Sequence, residues 1–270
     1  MTHDVQYRRI LYRMGYYNYQ QGLIYHRLRE QSGWNSHLRN CRSFIARSLY
    51  FAKPSIVTVL GSGWLLDLPL KEIAEQVRQV NLVDIVRPPD VKKQITVFPN
   101  VTLREEDITG GLIGEIWSIA GKRLFFNKLK SLDAIRIREY SPQYDPGMVI
   151  SLNLLTQLES LPLRLLRKKS AIEEECFVKL RKKIQESHLN FPGKHMSLLI
   201  TDISEIVTMS SGEKHEIRSV LTEIPCGMHE EEWTWHFDFS DSDYYRKKSV
   251  FKVSAKLFGK GLGNNNTNRC

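Results

Sequence analysis

The stretch Ser55–Asp67, S-I-V-T-V-L-G-S-G-W-L-L-D, sets two glycines, Gly61 and Gly63, directly after a run of β-branched and aliphatic residues. A buried strand that breaks into a glycine turn before a helix leaves bare backbone, which a ligand can approach closely. Asp84 lies 23 residues beyond Gly61, at the end of a second apolar run around Val80–Val86. An acid at the end of the second strand, roughly 20 residues past such a turn, commonly accepts hydrogen bonds from ribose hydroxyls. The two features together point to a nucleoside-like ligand held at one edge of an α/β sheet.

Other constellations are weaker. His229 and His236 flank E-E-E-W-T-W, which is not the H-E-x-x-H zinc spacing, and His188, His195 and His215 are scattered. No metal site is expected. Ser62 lies in G-S-G without the G-x-S-x-G nucleophile elbow, and no phosphate-binding G-x-x-x-x-G-K-[ST] loop occurs.

Elements able to position these residues follow from periodicity. Strands are expected at 56–60, 80–86, 101–103, 148–155 and 196–202, with a hairpin from 233–239 and 249–258. Leu70, Ile73, Ala74 and Val77 recur at helical spacing. Helices are also expected over 112–130, over 161–188 as one long basic helix, and weakly over 213–221. In the long helix Leu165, Ile172, Cys176, Val178, Leu180 and Ile184 form the expected inner face. One to three helices precede the first strand. Gly15 and Gly22 are expected to interrupt them, Gly33 to stop one, and Asn35 or Ser36 to cap the next. The expected organisation is a helical cap at 1–53, an α/β domain at 54–258 and a disordered tail at 259–270.

The chain of 270 residues carries a net charge of +9. Residues 1–53 hold nine Lys and Arg against Asp4 and Glu30, so RNA or another anionic partner could dock there. A solvated basic helix face is the plainer alternative. No run of about 18 apolar residues suggests a membrane span. The N-terminus has no apolar signal core. Four scattered cysteines fit a reducing, cytoplasmic setting.

Five strands alternating with helices and closed by a hairpin resemble the Rossmann-like, three-layer, mostly parallel seven-stranded sheet of the class I S-adenosylmethionine-dependent methyltransferases. V-T-V-L-G-S-G resembles the family's first motif, although Leu65 stands where a third glycine is usual. The resemblance implies that Gly61, Ser62 and Gly63 approach the donor's amino-acid part and that Asp84 holds its ribose. It further places Asp107, in E-E-D-I-T, at the adenine, and Ser151 and Asn153, in S-L-N-L-L-T-Q-L, beside the transfer site. The implied cofactor is S-adenosylmethionine and the implied reaction is in-line methyl transfer. The acceptor is unidentified and no catalytic base is nominated. A non-catalytic protein on the same sheet, binding a nucleoside or a macromolecule, is the alternative.

Overall fold

The computed structural model describes residues 4–121, 129–209, 211–238 and 248–260. Three helices come first: α1 (Val5–Met14), α2 (Tyr16–Arg29) and α3 (Gln31–Ala52). Gly15 separates the first two in a left-handed conformation, φ 93°. Gly22 lies inside α2, and Gly33, Asn35 and Ser36 all lie inside α3, Gly33 buried and Asn35 exposed, contrary to the stops and caps expected there. Packing overrides their low helix propensity, because α3 seats Trp34, Phe44, Ile45 and Leu49 in the main core.

The sheet follows with β1 (Ile56–Leu60), β2 (Gln79–Asp84), β3 (Val101–Glu105), β4 (Met148–Leu152), β5 (Ser197–Thr208), β6 (Lys214–Arg218), β7 (His229–Asp238) and β8 (Lys248–Phe258). Its order is β3-β2-β1-β4-β5-β8-β7, with β6 pairing to β5 off that path. The first five strands are parallel, and β6, β7 and β8 join antiparallel. Every residue of β1 and β4 is buried, as expected for strands covered on both faces. The fold is therefore the expected Rossmann-like α/β sheet, enlarged by one strand. The turn of the β7–β8 hairpin and the tail from 261 onward lie outside the described residues.

Between the strands run α4 (Leu70–Gln76), α5 (Pro89–Ile95), α6 (Leu112–Ile116), α7 (Ser160–Lys169) and α8 (Glu174–Gly193). Side chains of α3, α4 and α5 pack with Val57, Val59, Leu82 and Ile150 in one cluster. Those of α6, α7 and α8 pack with Leu60, Val83 and Val149 in another, giving three layers. Fully burying a side chain such as Phe177 or Ile45 contributes roughly 2–3 kcal/mol.

Three further expectations need correction. The helix expected over 161–188 is two helices, because the backbone of Lys169 and Ala171 bonds to Leu129 and interrupts the helical ladder. Phe177, Leu180 and Ile184 then face inward, while Cys176 and Val178 are exposed. The helix expected over 213–221 is β6, drawn into an extended form by the open edge of the long strand β5. The helix expected over 112–130 is the short α6 followed by a π-helix over Trp117–Gly121, with 122–128 outside the described residues and Leu129 in a β-bridge. Cys41 and Cys176 are free thiols. No helix among the described residues is long and apolar enough to cross a membrane.

Candidate functional site

The chain reverses direction across the sheet between β1 and β4. At such a switch point the C-terminal strand ends diverge and leave a crevice. The glycine turn sits there. The backbone N–H groups of Gly61 and Ser62 both donate to the Val83 carbonyl, at 3.0 and 3.2 Å. Gly61 has φ 81°, and a Cβ there would lie 2.9 Å from the Leu152 carbonyl oxygen, so its bareness serves the approach of β4. Gly63, φ 45°, is different: a Cβ there would meet nothing nearer than 4.0 Å. Leu65 also adopts a left-handed conformation, φ 61°, so the third turn position keeps a glycine-like backbone with a leucine side chain buried in the core. That conformation costs about 1–2 kcal/mol, which the buried side chain offsets.

Asp84 ends β2 beside this turn. Its Oδ2 accepts the Gly63 N–H at 2.8 Å and its Oδ1 the Val86 N–H at 3.4 Å. Burial pushes its carboxyl up to about 6, with the Gly63, Val86 and Ile85 backbone N–H groups pulling it back.

These residues line a cavity with Gly61, Ser62, Gly63, Asp84 and Asn153 on its walls. Two of its groups are acids, Asp67 and Asp84, and no Lys or Arg among the described residues lines it. Five aromatic side chains do: Tyr16, Tyr19, Trp34, Trp64 and Trp235. Helix α2 supplies Tyr16, Tyr19, Gln20 and Leu23, and the Trp64 indole donates to the Gln20 carbonyl at 2.9 Å, which ties the helix to the glycine turn.

Buried polar atoms without a partner concentrate here. Of eight such atoms among the described residues, Gln20 Oε1, Ser62 Oγ, Asn153 Oδ1 and Trp235 Nε1 belong to residues that line this cavity. Ser62 is 1% exposed and Trp235 7%. Buried polar groups are almost always hydrogen-bonded, so a cavity with four orphans is shaped for a polar ligand.

Two nominated residues stand apart from the cavity wall. Asp107 does not line it, although Ile108 and Thr109 do. Its Oδ2 accepts the Tyr7 hydroxyl at 2.5 Å, and its Oδ1 accepts the Thr109 N–H at 2.9 Å and the Thr109 hydroxyl. Ser151 faces the opposite side of the sheet, where its hydroxyl meets His188 Nε2 of α8 at 2.8 Å. Asn153, two residues later, does reach the cavity. It has φ 48°, held by its N–H bond to the Ile200 carbonyl at 2.8 Å. Its Nδ2 donates to Asp67 Oδ2 at 2.7 Å, which also decides its amide orientation, since Oδ1 would repel that carboxylate.

Asp67 and His37 were not nominated by the sequence, although His37 and Cys41 stand four apart on one face of α3. His37 stacks on Trp235 with ring centroids 3.9 Å apart, and burial lowers it to about 3, so it is neutral. Burial raises the Cys41 thiol, and Asp67 adds to the rise. Candidate ligand atoms of His37, Cys41 and Asp67 lie within 4.8 Å of one another. They do not fit a metal ion as they stand. Trp233 Nε1 donates to His37 Nδ1 at 3.0 Å, while His37 Nε2 lies 3.2 Å from Asn153 Nδ2 and 3.5 Å from Cys41 Sγ, so both ring nitrogens are already engaged. A ligating histidine normally donates from its other nitrogen instead.

No protein-family model matches this chain, and no curated protein matches it. Among solved structures, one that it resembles is the Burkholderia thailandensis 1,6-didemethyltoxoflavin-N1-methyltransferase with 1,6-didemethyltoxoflavin and S-adenosylhomocysteine bound. The identity is 10%, the match covers 96% of this chain and 92% of that one, and the TM-score is 0.41. Another is the N-methyltransferase NodS from Bradyrhizobium japonicum WM9 with S-adenosylhomocysteine, at 9% identity, 81% and 86% coverage and TM-score 0.32. The 23S rRNA methyltransferase ErmE matches at 12% identity, 83% and 71% coverage and TM-score 0.25. At TM-scores this low the likeness carries no argument about this chain's chemistry.

Proposed function

We propose that the chain is an S-adenosylmethionine-dependent methyltransferase. The observation that carries this reading is the charge of the cavity. It lies at the switch point, holds Asp84 beside the Gly63 backbone, and has no Lys or Arg among the described residues on its wall, in a chain of net charge +9. Ligands with phosphate groups need cations or a phosphate-cradling loop. An adenosine-bearing sulfonium needs neither and gains from nearby carboxylates. The orphan Ser62 hydroxyl and the open side of Gly63 fit such a group at the turn. In this role Asp84 holds the ribose, and the cofactor supplies an electrophilic methyl group. The protein's part is to align donor and acceptor in a dry site, where good alignment is worth several kcal/mol of the barrier.

A non-catalytic reading draws on Asp107, whose carboxylate is already taken up by Tyr7 and Thr109. Calorimetry with S-adenosylmethionine and, separately, with NADH tests both the class and the alternative. Binding of the sulfonium alone, weakened at least about tenfold by Asp84→Ala, is the expected result. A wild-type protein that takes NADH equally well, or gives no heat with either, sinks the assignment. Binding without label transfer to any acceptor would support the non-catalytic reading.

A further inference from the structure

The Asp67 side of the cavity has a composition that the binding of a donor at the glycine turn does not explain. Asp67 is half-buried, accepts one side-chain hydrogen bond, from Asn153, and forms no ion pair with a described residue. Around it stand the orphan acceptor Asn153 Oδ1 and, elsewhere on the same wall, the orphan acceptor Gln20 Oε1 and the orphan donor Trp235 Nε1. Trp34, Trp64 and Trp235 line the same cavity. A carboxylate among aromatic rings and free carbonyl-type acceptors is a setting for a cation with N–H donors. A cation over such rings gains roughly 0.5–2 kcal/mol beyond its ion pair. Helix α2 forms one side of the cavity, whose wall holds no Lys or Arg among the described residues, which suits a small molecule better than a nucleic acid.

We propose that this side is the acceptor subsite, and that the acceptor is a small primary or secondary amine bound as its ammonium, with Asp67 as its counter-ion and proton acceptor. The inference rests on the methyltransferase reading. An ammonium has no lone pair, so it must first pass a proton to the Asp67 carboxylate. The freed amine nitrogen then attacks the methyl carbon. The N–C bond forms as the C–S bond breaks, and the bonding pair leaves on sulfur, which becomes a neutral thioether. The product is a methylated ammonium, so charge and protons balance with Asp67 left as a carboxylic acid that solvent must later deprotonate. Burial raises the Asp67 carboxyl, with Asn153 and Arg42 opposing, and a raised carboxyl is the better base near neutral pH. His37, held neutral against Trp235, adds no competing positive charge.

The test is calorimetry on the full chain saturated with S-adenosylhomocysteine, titrated with tryptamine, phenethylamine and putrescine, and with indole-3-propionate as the anionic counterpart of tryptamine. At least one amine is expected to bind, about tenfold or more above indole-3-propionate. Asp67→Asn should cost that amine about tenfold while S-adenosylhomocysteine affinity stays within about twofold, which also reports an intact fold. Absence of amine binding, equal binding of the carboxylate, or unchanged amine affinity in the variant would each overturn the proposal. So would an equal loss of S-adenosylhomocysteine affinity, which would assign Asp67 to the donor. Failure of S-adenosylhomocysteine to bind the wild type is read before any amine is added and marks failure of the underlying reading instead.

Discussion

Two hollows meet at Ser160, and they treat charge in opposite ways. The cavity at the glycine turn has two aspartates and, among the described residues, no Lys or Arg, whereas the groove along α7 and α8 is lined by Arg164, Arg167, Lys168 and Arg181. Each contains a buried acid pushed upward by desolvation, Asp84 to about 6 and Glu159 to about 7. Glu159 is answered by the protein itself: Arg181 and Gln185 reach its Oε1 at 3.2 and 3.3 Å. Asp84 has backbone N–H groups and no cation. A buried charge that the fold leaves uncompensated lowers stability until something binds, and this separates a binding site from an internal ion pair.

That contrast can be broken most directly at Asp84. Its native carboxyl holds a proton more tightly than the unfolded chain does, so native stability falls as pH rises from about 4 through about 6. Asp84→Asn removes that cost, so the unliganded variant should be more stable at pH 7 by up to about 3 kcal/mol, a gain that vanishes below about pH 4. The same variant should lose cofactor affinity by about tenfold or more. Thermal melts across pH with calorimetry check both, and a variant destabilised at pH 7 would refute the uncompensated charge.

The glycines sharpen the contrast next. Gly61→Ala should destabilise the fold by roughly 2 kcal/mol or more, because its methyl meets the Leu152 carbonyl. Gly63→Ala should cost about 1 kcal/mol of backbone strain and reduce ligand affinity more than it lowers the melting temperature. Equal melting temperatures for the two would contradict the geometry of the turn.

Smaller effects belong to the groove. Arg164→Glu with Lys168→Glu should weaken heparin binding and flatten its salt dependence by about two counter-ions, with cofactor affinity unchanged. An unaltered salt slope would exclude the groove as the polyanion surface. Arg8 and Arg47 of the basic N-terminal segment are paired with Glu105 and Glu231, as Arg167 and Arg181 of the groove are with Glu174 and Glu159. Glu159→Gln should change the melting temperature least, since relief of a buried charge is offset by the Arg181 it leaves unanswered. A loss of cofactor affinity in that variant would show that the two hollows are coupled.

Much of the scaffold was legible in the chain, because strand periodicity and the glycine turn are local signals. The positions of β1, β2 and β4, the turn at Gly61–Gly63 and the place of Asp84 follow from residues within about 25 positions of one another. Partners arriving from far along the chain leave no such trace. Nothing near Asp107 announces Tyr7, and nothing near Ser151 announces His188. Ser151 and Asn153 stand two apart and would share a face of an unbroken strand, but Asn153 lies just past β4 with φ 48°, which turns it into the cavity while Ser151 stays under α8. Asp67 was overlooked because its meaning depends on Asn153 and on the aromatic residues of α2, α3 and β7. The break in the long basic helix was equally hidden, since it depends on Leu129 meeting Lys169 and Ala171.

The way α2 and α3 are held has a consequence for how the protein is made. His26 and Trp34 both bond to the Phe237 carbonyl, so the first helices rest on a strand near the other end of the chain. On the ribosome those helices emerge before β7, so their bonds to Phe237 wait until that strand has been synthesised, although α3 can already rest on β1, β2 and β4. Until then the rings of Trp34 and His37 lack Trp235, the partner they pack against. A nascent chain halted after β5 would already own the glycine loop yet have a chamber open on the side of β7, so ligand could assist only the last moments of folding.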